Sequence, residues 1–346
     1  MSVTAVDWQP PQGWPRISTI DSHTAGEPFR VITQGIPEIP GATILERRRW
    51  AQENLDDIRR ALMWEPRGHA DMYGCFVTPP VTEDAELGVL FIHNEGFSTM
   101  CGHGIIALVT VALETGMLAI GDGSERQVGI DSPAGLIRAT AELENGRVQR
   151  VRFLNVPSFV AERDAWVEVP GLGRVRYDLV FGGAFYAYVN ANDVGVALDG
   201  ENFRALIEKG TRIKQAVMAS REIVHPFEED LGFLYGVIFV GDAQSPDAHS
   251  RNVCIFADGE VDRSPTGTGV SGRVALHHAR GDVGLDEPIV IESILGTSFK
   301  ARVVEETSFG PYAAVVPEVT GSAYLTGRHE FFVDPADPLR DGFILR

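Results

Sequence analysis

The feature that most narrows what this chain can fold into is a repeat inside it. Residues 90–93 read as an apolar strand, 94–99 as a turn, and 105–115 as an apolar helix closed by Gly116. Residues 254–256, a turn over 257–264 and the stretch Pro265-Thr-Gly-Thr-Gly-Val-Ser-Gly-Arg-Val-Ala-Leu276 repeat that order, with Gly281 as the second stop. Phe91 precedes Cys101 by ten residues, as Phe256 precedes Thr266, and Gly102-His103-Gly104 matches Gly267-Thr268-Gly269. Each helix is followed by a similar strand, Ile130-Asp-Ser-Pro-Ala-Gly135 in one copy and Ile291-Glu-Ser-Ile-Leu-Gly296 in the other. A chain of 346 residues carrying two copies of one unit is expected to form two domains, each able to bury a core.

The repeat places Cys101 and Thr266 at matching helix starts. Backbone N–H groups there lack an intrahelical partner and the helix dipole is positive, so a thiolate is favoured at Cys101. The amides of Gly102 and His103, and of Gly267 and Thr268 opposite, can cradle a carboxylate. A lone cysteine among apolar residues is more often a packing residue; the second, matched start is what argues for more. If the halves are related by a pseudo-twofold axis, both starts face one cleft, and Cys101 and Thr266 flank a ligand's α-carbon from opposite faces. A thiol suits removal of an α-proton, because its pKa can be tuned towards the working pH in a cleft that excludes water.

A net charge of −18 argues against nucleic-acid partners and anionic membrane surfaces, and would little affect a zwitterionic ligand whose carboxylate is received by local dipoles. The three cysteines, Cys75, Cys101 and Cys254, have neither disulfide-framework nor zinc spacing, and His225, His249, His277 and His278 have no ligand-like spacing either. No metal is expected. The start lacks a signal-peptide pattern and no stretch approaches ~20 continuous apolar residues, so the expected location is the cytoplasm.

Along the chain, residues 1–15 read as an irregular lead-in whose indoles pack on the first domain. Residues 17–20 and 29–33 are expected as strands around Asp21-Ser-His-Thr-Ala-Gly-Glu-Pro28, a turn that reads most simply as a solvated loop. Residues 46–64 are expected as one amphipathic helix with Arg47, Arg48 and Arg49 on a solvated face. His69 and Asp71 could orient a ligand or satisfy a turn. Three strands are expected over 128–155, a crossover around 157–174, a hairpin through Gly182-Gly183, an outer helix over 202–221, a buried strand over 233–240 and a last strand over 324–332. The domains so drawn are 16–172 and 173–327, with the tail 328–346 packing back on the first.

Four blocks together carry a resemblance: Asp21-Ser-His-Thr-Ala-Gly-Glu-Pro28, Arg67-Gly-His-Ala-Asp-Met-Tyr-Gly74, Gly96-Phe-Ser-Thr-Met-Cys-Gly-His-Gly104 and Asp262-Arg-Ser-Pro-Thr-Gly-Thr-Gly269. They resemble the signature blocks of the proline racemase family, which also includes 4-hydroxyproline 2-epimerases and trans-3-hydroxy-L-proline dehydratases. The resemblance implies an α/β (α+β) fold like that of diaminopimelate epimerase: two similar domains, each a mixed β-sheet wrapped around a central helix, with the site between them and no cofactor. It implies a thiol base at Cys101, ligand-binding amides at Gly102, His103, Gly267 and Thr268, and an acidic contact to the ring nitrogen at Asp262. A homodimer is one assembly open to such a chain.

Racemases and epimerases of that family carry a second cysteine where this chain has Thr266. A hydroxyl is far too weak an acid to exchange an α-proton as a thiol does, which argues against two-base inversion. Loss of a β-hydroxyl as water needs only one base. The Cys/Thr pair is similar to that of the dehydratase branch, whose product is Δ1-pyrroline-2-carboxylate. The acid that protonates the leaving hydroxyl is left open among His103, Thr266 and a bound water. The other readings are an epimerase or racemase in which Thr266 works through water, a catalytically silent imino-acid-binding protein, and a cysteine hydrolase, which would need an oriented His–Asp pair beside the thiol.

Overall fold

The computed structural model describes residues 8–345. Residues 1–7 of the expected lead-in lie outside that range, as does Arg346; Trp8 packs edge-on against Trp14 and Phe332. The first half begins with β1 (Arg16–Thr24) and β2 (Glu27–Gln34), then α1 (Ile44–Asn54), α2 (Asp56–Met63), β3 (Tyr73–Thr78) and β4 (Leu87–His93). Helix α3 (Gly102–Glu114) leads to β5 (Glu125–Ser132), β6 (Gly135–Glu144) and β7 (Arg147–Leu154). Next come β8 (Ser158–Val169), β9 (Gly173–Phe181), β10 (Phe185–Asn190), α4 (Phe203–Ser220), β11 (Leu234–Gly241), β12 (Ser250–Phe256) and the short β13 (Glu260–Val261). Helix α5 (Gly267–Arg280) precedes β14 (Ile289–Glu292), β15 (Ser298–Phe309), β16 (Tyr312–Gly321) and β17 (Ala323–Phe332).

The repeat extends to the hydrogen bonding of the strands. From β17 through β1, β2, β3, β4, β5 and β6 to β7, successive pairs run antiparallel except β2–β3 and β4–β5. From β8 through β9, β10, β11, β12, β14 and β15 to β16, the order of orientations is the same, with β10–β11 and β12–β14 parallel. The second series closes on itself because β16 also pairs with β8. The first borrows its closing strand, since β16 pairs with β7 at one end and passes through Ser322 into β17, which pairs with β1. All seventeen strands are thereby linked in one hydrogen-bonded sheet, where separate sheets were expected.

Helices α3 and α5 are the apolar runs of the repeat. Every residue from Gly102 to Leu113 in α3 is buried, against β1, β2, β6, β7, β16 and β17. Helix α5 is buried from Gly267 to Leu276, against β8, β9, β12, β15 and β16. Helices buried all round need apolar side chains all round, as Ile105, Ile106, Leu108, Val109 and Val111 supply in α3. The two starts touch: a Cβ on Gly267 would lie 2.5 Å from Gly102 Cα, and one on Gly102 equally close to Gly267 Cα. Only glycine at both positions allows that approach.

Several sequence readings are corrected. The segment 21–28 is no solvated loop: β1 runs through Thr24, the chain reverses at Ala25 and Gly26, both with positive φ, and Ser22, Thr24 and Glu27 are buried. The turn docks on the second half, where Thr297 Oγ1 donates to the Ala25 carbonyl at 2.7 Å and the Arg263 amide donates to Glu27 Oε2 at 2.6 Å. The expected helix over 46–64 is two, broken at the buried Leu55. Arg48 is buried with its guanidinium on the Phe97 carbonyl, so only Arg49 of the three arginines points outward, towards Asp230. Residues 157–174 are not irregular but form most of the β8–β9 pair. The second helix of the repeat starts at Gly267 rather than at Pro265.

Alanine is the better helix former by roughly 0.5–1 kcal/mol. At Gly267 its methyl would meet opposing backbone that no side-chain rotation can relieve. We expect Gly267→Ala to destabilise the protein by about 1–3 kcal/mol, the range for an overpacked contact, read as a lower urea midpoint at unchanged slope.

Candidate active site

The repeat delivers its polar residues to one cavity. Cys101, Gly102, His103, Asp262, Thr266, Gly267 and Thr268 all line it, together with Tyr73, Met100, Tyr186, Tyr235, Cys254 and Phe256. Its free volume is about 10 Å³, the space of roughly one water. Admission of anything larger requires the walls to part.

Cys101 caps α3, and its Sγ accepts the Gly104 amide at 3.2 Å. The amides of Gly102, His103, Gly267 and Thr268 lie in first helical turns, where no carbonyl four residues back is available. They meet at the Gly102–Gly267 contact, so two positive helix ends converge. Thr266 caps α5 with φ 68°, a left-handed conformation that a β-branched residue rarely adopts and that costs about 1–3 kcal/mol. Its amide donates to Ser264 Oγ at 3.1 Å and its carbonyl accepts from Val270 at 2.7 Å, which hold it there. The Thr266 hydroxyl completes no full hydrogen bond, although it lies beside Asp262 and Cys254 and eases the ionisation of both.

The electrostatics differ from what a helix start alone suggests. Burial pushes the Cys101 thiol well above its usual pKa; the Gly104 amide opposes this, while the negative charges of Asp262 and Glu27 add to it. The enclosed site therefore holds a thiol rather than the expected thiolate, because desolvation outweighs one amide and a dipole. Burial likewise raises Asp262, to about 6, against the lowering effect of Ser264 and Thr266. Asp262 Oδ1 accepts the Ser264 amide at 2.7 Å, so the residue also shapes its own turn. At neutral pH it is mostly ionised.

Glu27 is the functional candidate that sequence reading missed. Its carboxyl is wholly buried next to Asp262, and burial and that neighbouring charge raise its pKa well above the usual range. A polar tight turn gives no sign of which side chains another part of the chain will cover. Asp71 is drawn into the same contact, its Oδ2 2.6 Å from Arg263 Nη1, whereas His69 is exposed with Nδ1 near the Ala70 carbonyl. His103 Nδ1 lies 3.3 Å from Cys101 Sγ. Burial lowers its pKa to about 3, so it stays neutral, and its ring packs on Phe29 and Tyr73 instead of a carboxylate. That is not the charged Cys–His pair a hydrolase needs. Among the described residues no group of His, Cys, Asp or Glu is arranged to hold a metal, and no helix is long and apolar enough to cross a membrane.

Fold and cavity together define the class: an α/β chain with a duplicated strand and helix unit, whose paired helix starts meet at one enclosed pocket. The chain belongs to the proline racemase family, whose profile matches residues 19–344. It is 51% identical over 342 residues to a trans-3-hydroxy-L-proline dehydratase of Colwellia psychrerythraea, covering 98% of this chain and 96% of that one. It is 46% identical over 330 residues to a 3-hydroxyproline 2-epimerase of Burkholderia multivorans, covering 95% of this chain and 98% of that protein. Among solved structures, a hydroxyproline epimerase of Agrobacterium vitis with trans-4-hydroxy-L-proline bound superposes with a TM-score of 0.91 at 31% identity, over 97% of this chain and 96% of that one.

A thiol with a raised pKa is mostly protonated through the neutral range, and its thiolate fraction grows only as pH climbs past the ordinary thiol value. We expect Cys101 alkylation by iodoacetamide, measured by mass spectrometry, to keep accelerating above pH 9, the usual thiol value. A plateau near neutrality would mean the thiolate is already formed.

Proposed function

We propose that this protein is a trans-3-hydroxy-L-proline dehydratase, eliminating water to give an enamine that tautomerises to Δ1-pyrroline-2-carboxylate. The observation that carries this is the mismatch of the two helix caps: Cys101 and Thr266 share one cavity, and only one of them bears sulfur. Relatives of both names match this chain over nearly its full length, and the pair of caps is what favours dehydration over epimerisation on this reading. We read the fold as two similar halves, each a mixed sheet wrapped around one helix, α3 in the first and α5 in the second, with the crossover between β7 and β8.

On this reading the amides of Gly102, His103, Gly267 and Thr268 receive the substrate carboxylate, and Asp262 receives the ring ammonium. The imino acid fits between unpaired N–H groups and buried carboxyls with no net charge added. Its ammonium also supplies the positive charge that the enclosed site lacks, which favours ionisation of Cys101 when substrate is bound. Cys101 then removes the α-proton while the converging amides stabilise charge developing on the carboxylate. Thr266 lies across the ring and offers no comparable acid to the opposite face, so the carbanion loses its β-hydroxyl instead of being inverted.

Incubation with trans-3-hydroxy-L-proline should give the pyrroline product, trapped with o-aminobenzaldehyde, and Cys101→Ser should lower the rate by at least about 10²–10⁴-fold while still binding L-proline. Unchanged turnover in that variant would remove Cys101 from the chemistry, and absence of product from the parent protein would favour the binding-protein reading. Thr266→Cys should add α-deuterium incorporation and inverted product when trans-4-hydroxy-L-proline is incubated in D2O and followed by NMR. No exchange at all would rule out an opposite-face position for residue 266.

A further inference from the structure

The dehydratase reading, on which this inference rests, has a stereochemical consequence for the leaving group. In trans-3-hydroxy-L-proline the 3-hydroxyl lies across the ring from the carboxylate, and so on the same face as the α-hydrogen. Base and leaving oxygen are therefore on one side, that of Cys101. Thr266, opposite, is on the wrong face to assist the departing hydroxyl.

On the Cys101 side the cavity presents a cluster of hydroxyls. Tyr73 on β3 and Tyr235 on β11 both line it and are both buried, with their hydroxyl oxygens 3.0 Å apart. Tyr73 Oη also lies 2.5 Å from Ser98 Oγ. The Tyr73 hydroxyl shares the cavity with the Cys101 sulfur and eases its ionisation, and both tyrosines sense its charge. The third tyrosine of the cavity, Tyr186, is tied to Thr268 Oγ1 at 2.7 Å and stands near Cys254. Hydroxyls pooled in a wall otherwise made by Met100 and Phe256 are costly to bury unless they satisfy one another. Each hydroxyl rotates, donates once and accepts twice, so the cluster has capacity for one more.

We propose that Tyr73, supported by Tyr235 and Ser98, hydrogen-bonds the departing 3-hydroxyl and relays to it the proton that Cys101 has taken from the α-carbon. The Cys101 thiolate accepts the α-hydrogen as a proton, and the C2–H electron pair becomes the C2=C3 double bond. The C3–O bond breaks with its pair on oxygen, which takes the proton of Tyr73 Oη–H. Tyr73 recovers a proton from Cys101 Sγ–H. One water and the enamine are released, thiolate and phenol are restored, and no proton is drawn from solvent. His103 is neutral and needs no part in this transfer.

The test compares two leaving groups. Tyr73→Phe should lower kcat for trans-3-hydroxy-L-proline by about 10²–10⁴-fold, the usual contribution of a positioned acid, with the inhibition constant of L-proline unchanged. With trans-3-fluoro-L-proline, whose fluoride departs without a proton, Tyr73→Phe should work at close to the parent rate. Equal losses with both substrates, or no loss with either, would overturn the relay. Should Tyr73→Phe fail to fold, Tyr235→Phe is read by the same comparison, with a smaller but still hydroxyl-selective loss expected and an unselective effect counting against the proposal. A parent protein inert towards trans-3-hydroxy-L-proline would sink the dehydratase reading itself; a turning-over parent with unselective tyrosine variants sinks only the relay.

Discussion

Two glycine backbones in van der Waals contact hold this site together. Gly102 and Gly267 begin the two buried helices, and because neither has a Cβ the helix starts abut. The helix ends are placed by that contact: the unpaired amides converge from both sides, and Cys101 and Thr266, one residue earlier in each chain segment, line the same small space. The packing of α3 and α5 within their rings of strands makes the contact rigid, since ends of helices buried along their whole apolar length cannot drift without opening voids.

Around this cradle the electrostatics are unbalanced by design of the fold. Two buried carboxyls, Glu27 from the first half and Asp262 from the second, face a buried thiol, and Arg263, the cation beside those carboxyls, spends its guanidinium on Asp71 and the Val261 carbonyl. The arrangement keeps the thiol protonated. On the proposed reading, reactivity is tied to occupancy: Cys101 is weakly ionised alone and ionises when a ligand brings its own positive nitrogen. A surface lysine beside the cysteine would make a thiolate permanently, at the cost of exposing a reactive sulfur to oxidation.

Much of this was legible in the sequence because it depends on local pattern. The apolar helices, their glycine starts, the position of Cys101 and its counterpart Thr266, and the Gly182-Gly183 hairpin follow from spacing within a dozen or so residues. What was not legible depends on contacts across the chain. Glu27 and Arg48 look like exposed polar residues until a distant segment covers them, the first meeting the Arg263 amide and the second the Phe97 carbonyl. Leu55, buried and with φ −125° outside the helical range, interrupts an otherwise continuous helical pattern. Tyr73 sat in a motif already singled out, yet nothing in that motif says that Tyr235, 162 residues away, would bring its hydroxyl alongside. The ionisation of Cys101 was misjudged for the same reason: dipole and capping are local, desolvation is not.

The strand that runs from β16 through Ser322 into β17 serves both rings, closing the second on β8 and completing the first beside β1 and β7. The first half alone could not make its ring as it stands here, because the strand that closes it is made by the second. Its end strands, β1 and β7, would be left as raw, unpaired edges, of the kind that seek a neighbour. The second half holds all of its own closing pairs, so the dependence runs one way: the half that carries Cys101 is finished only when its twin has been added to the chain.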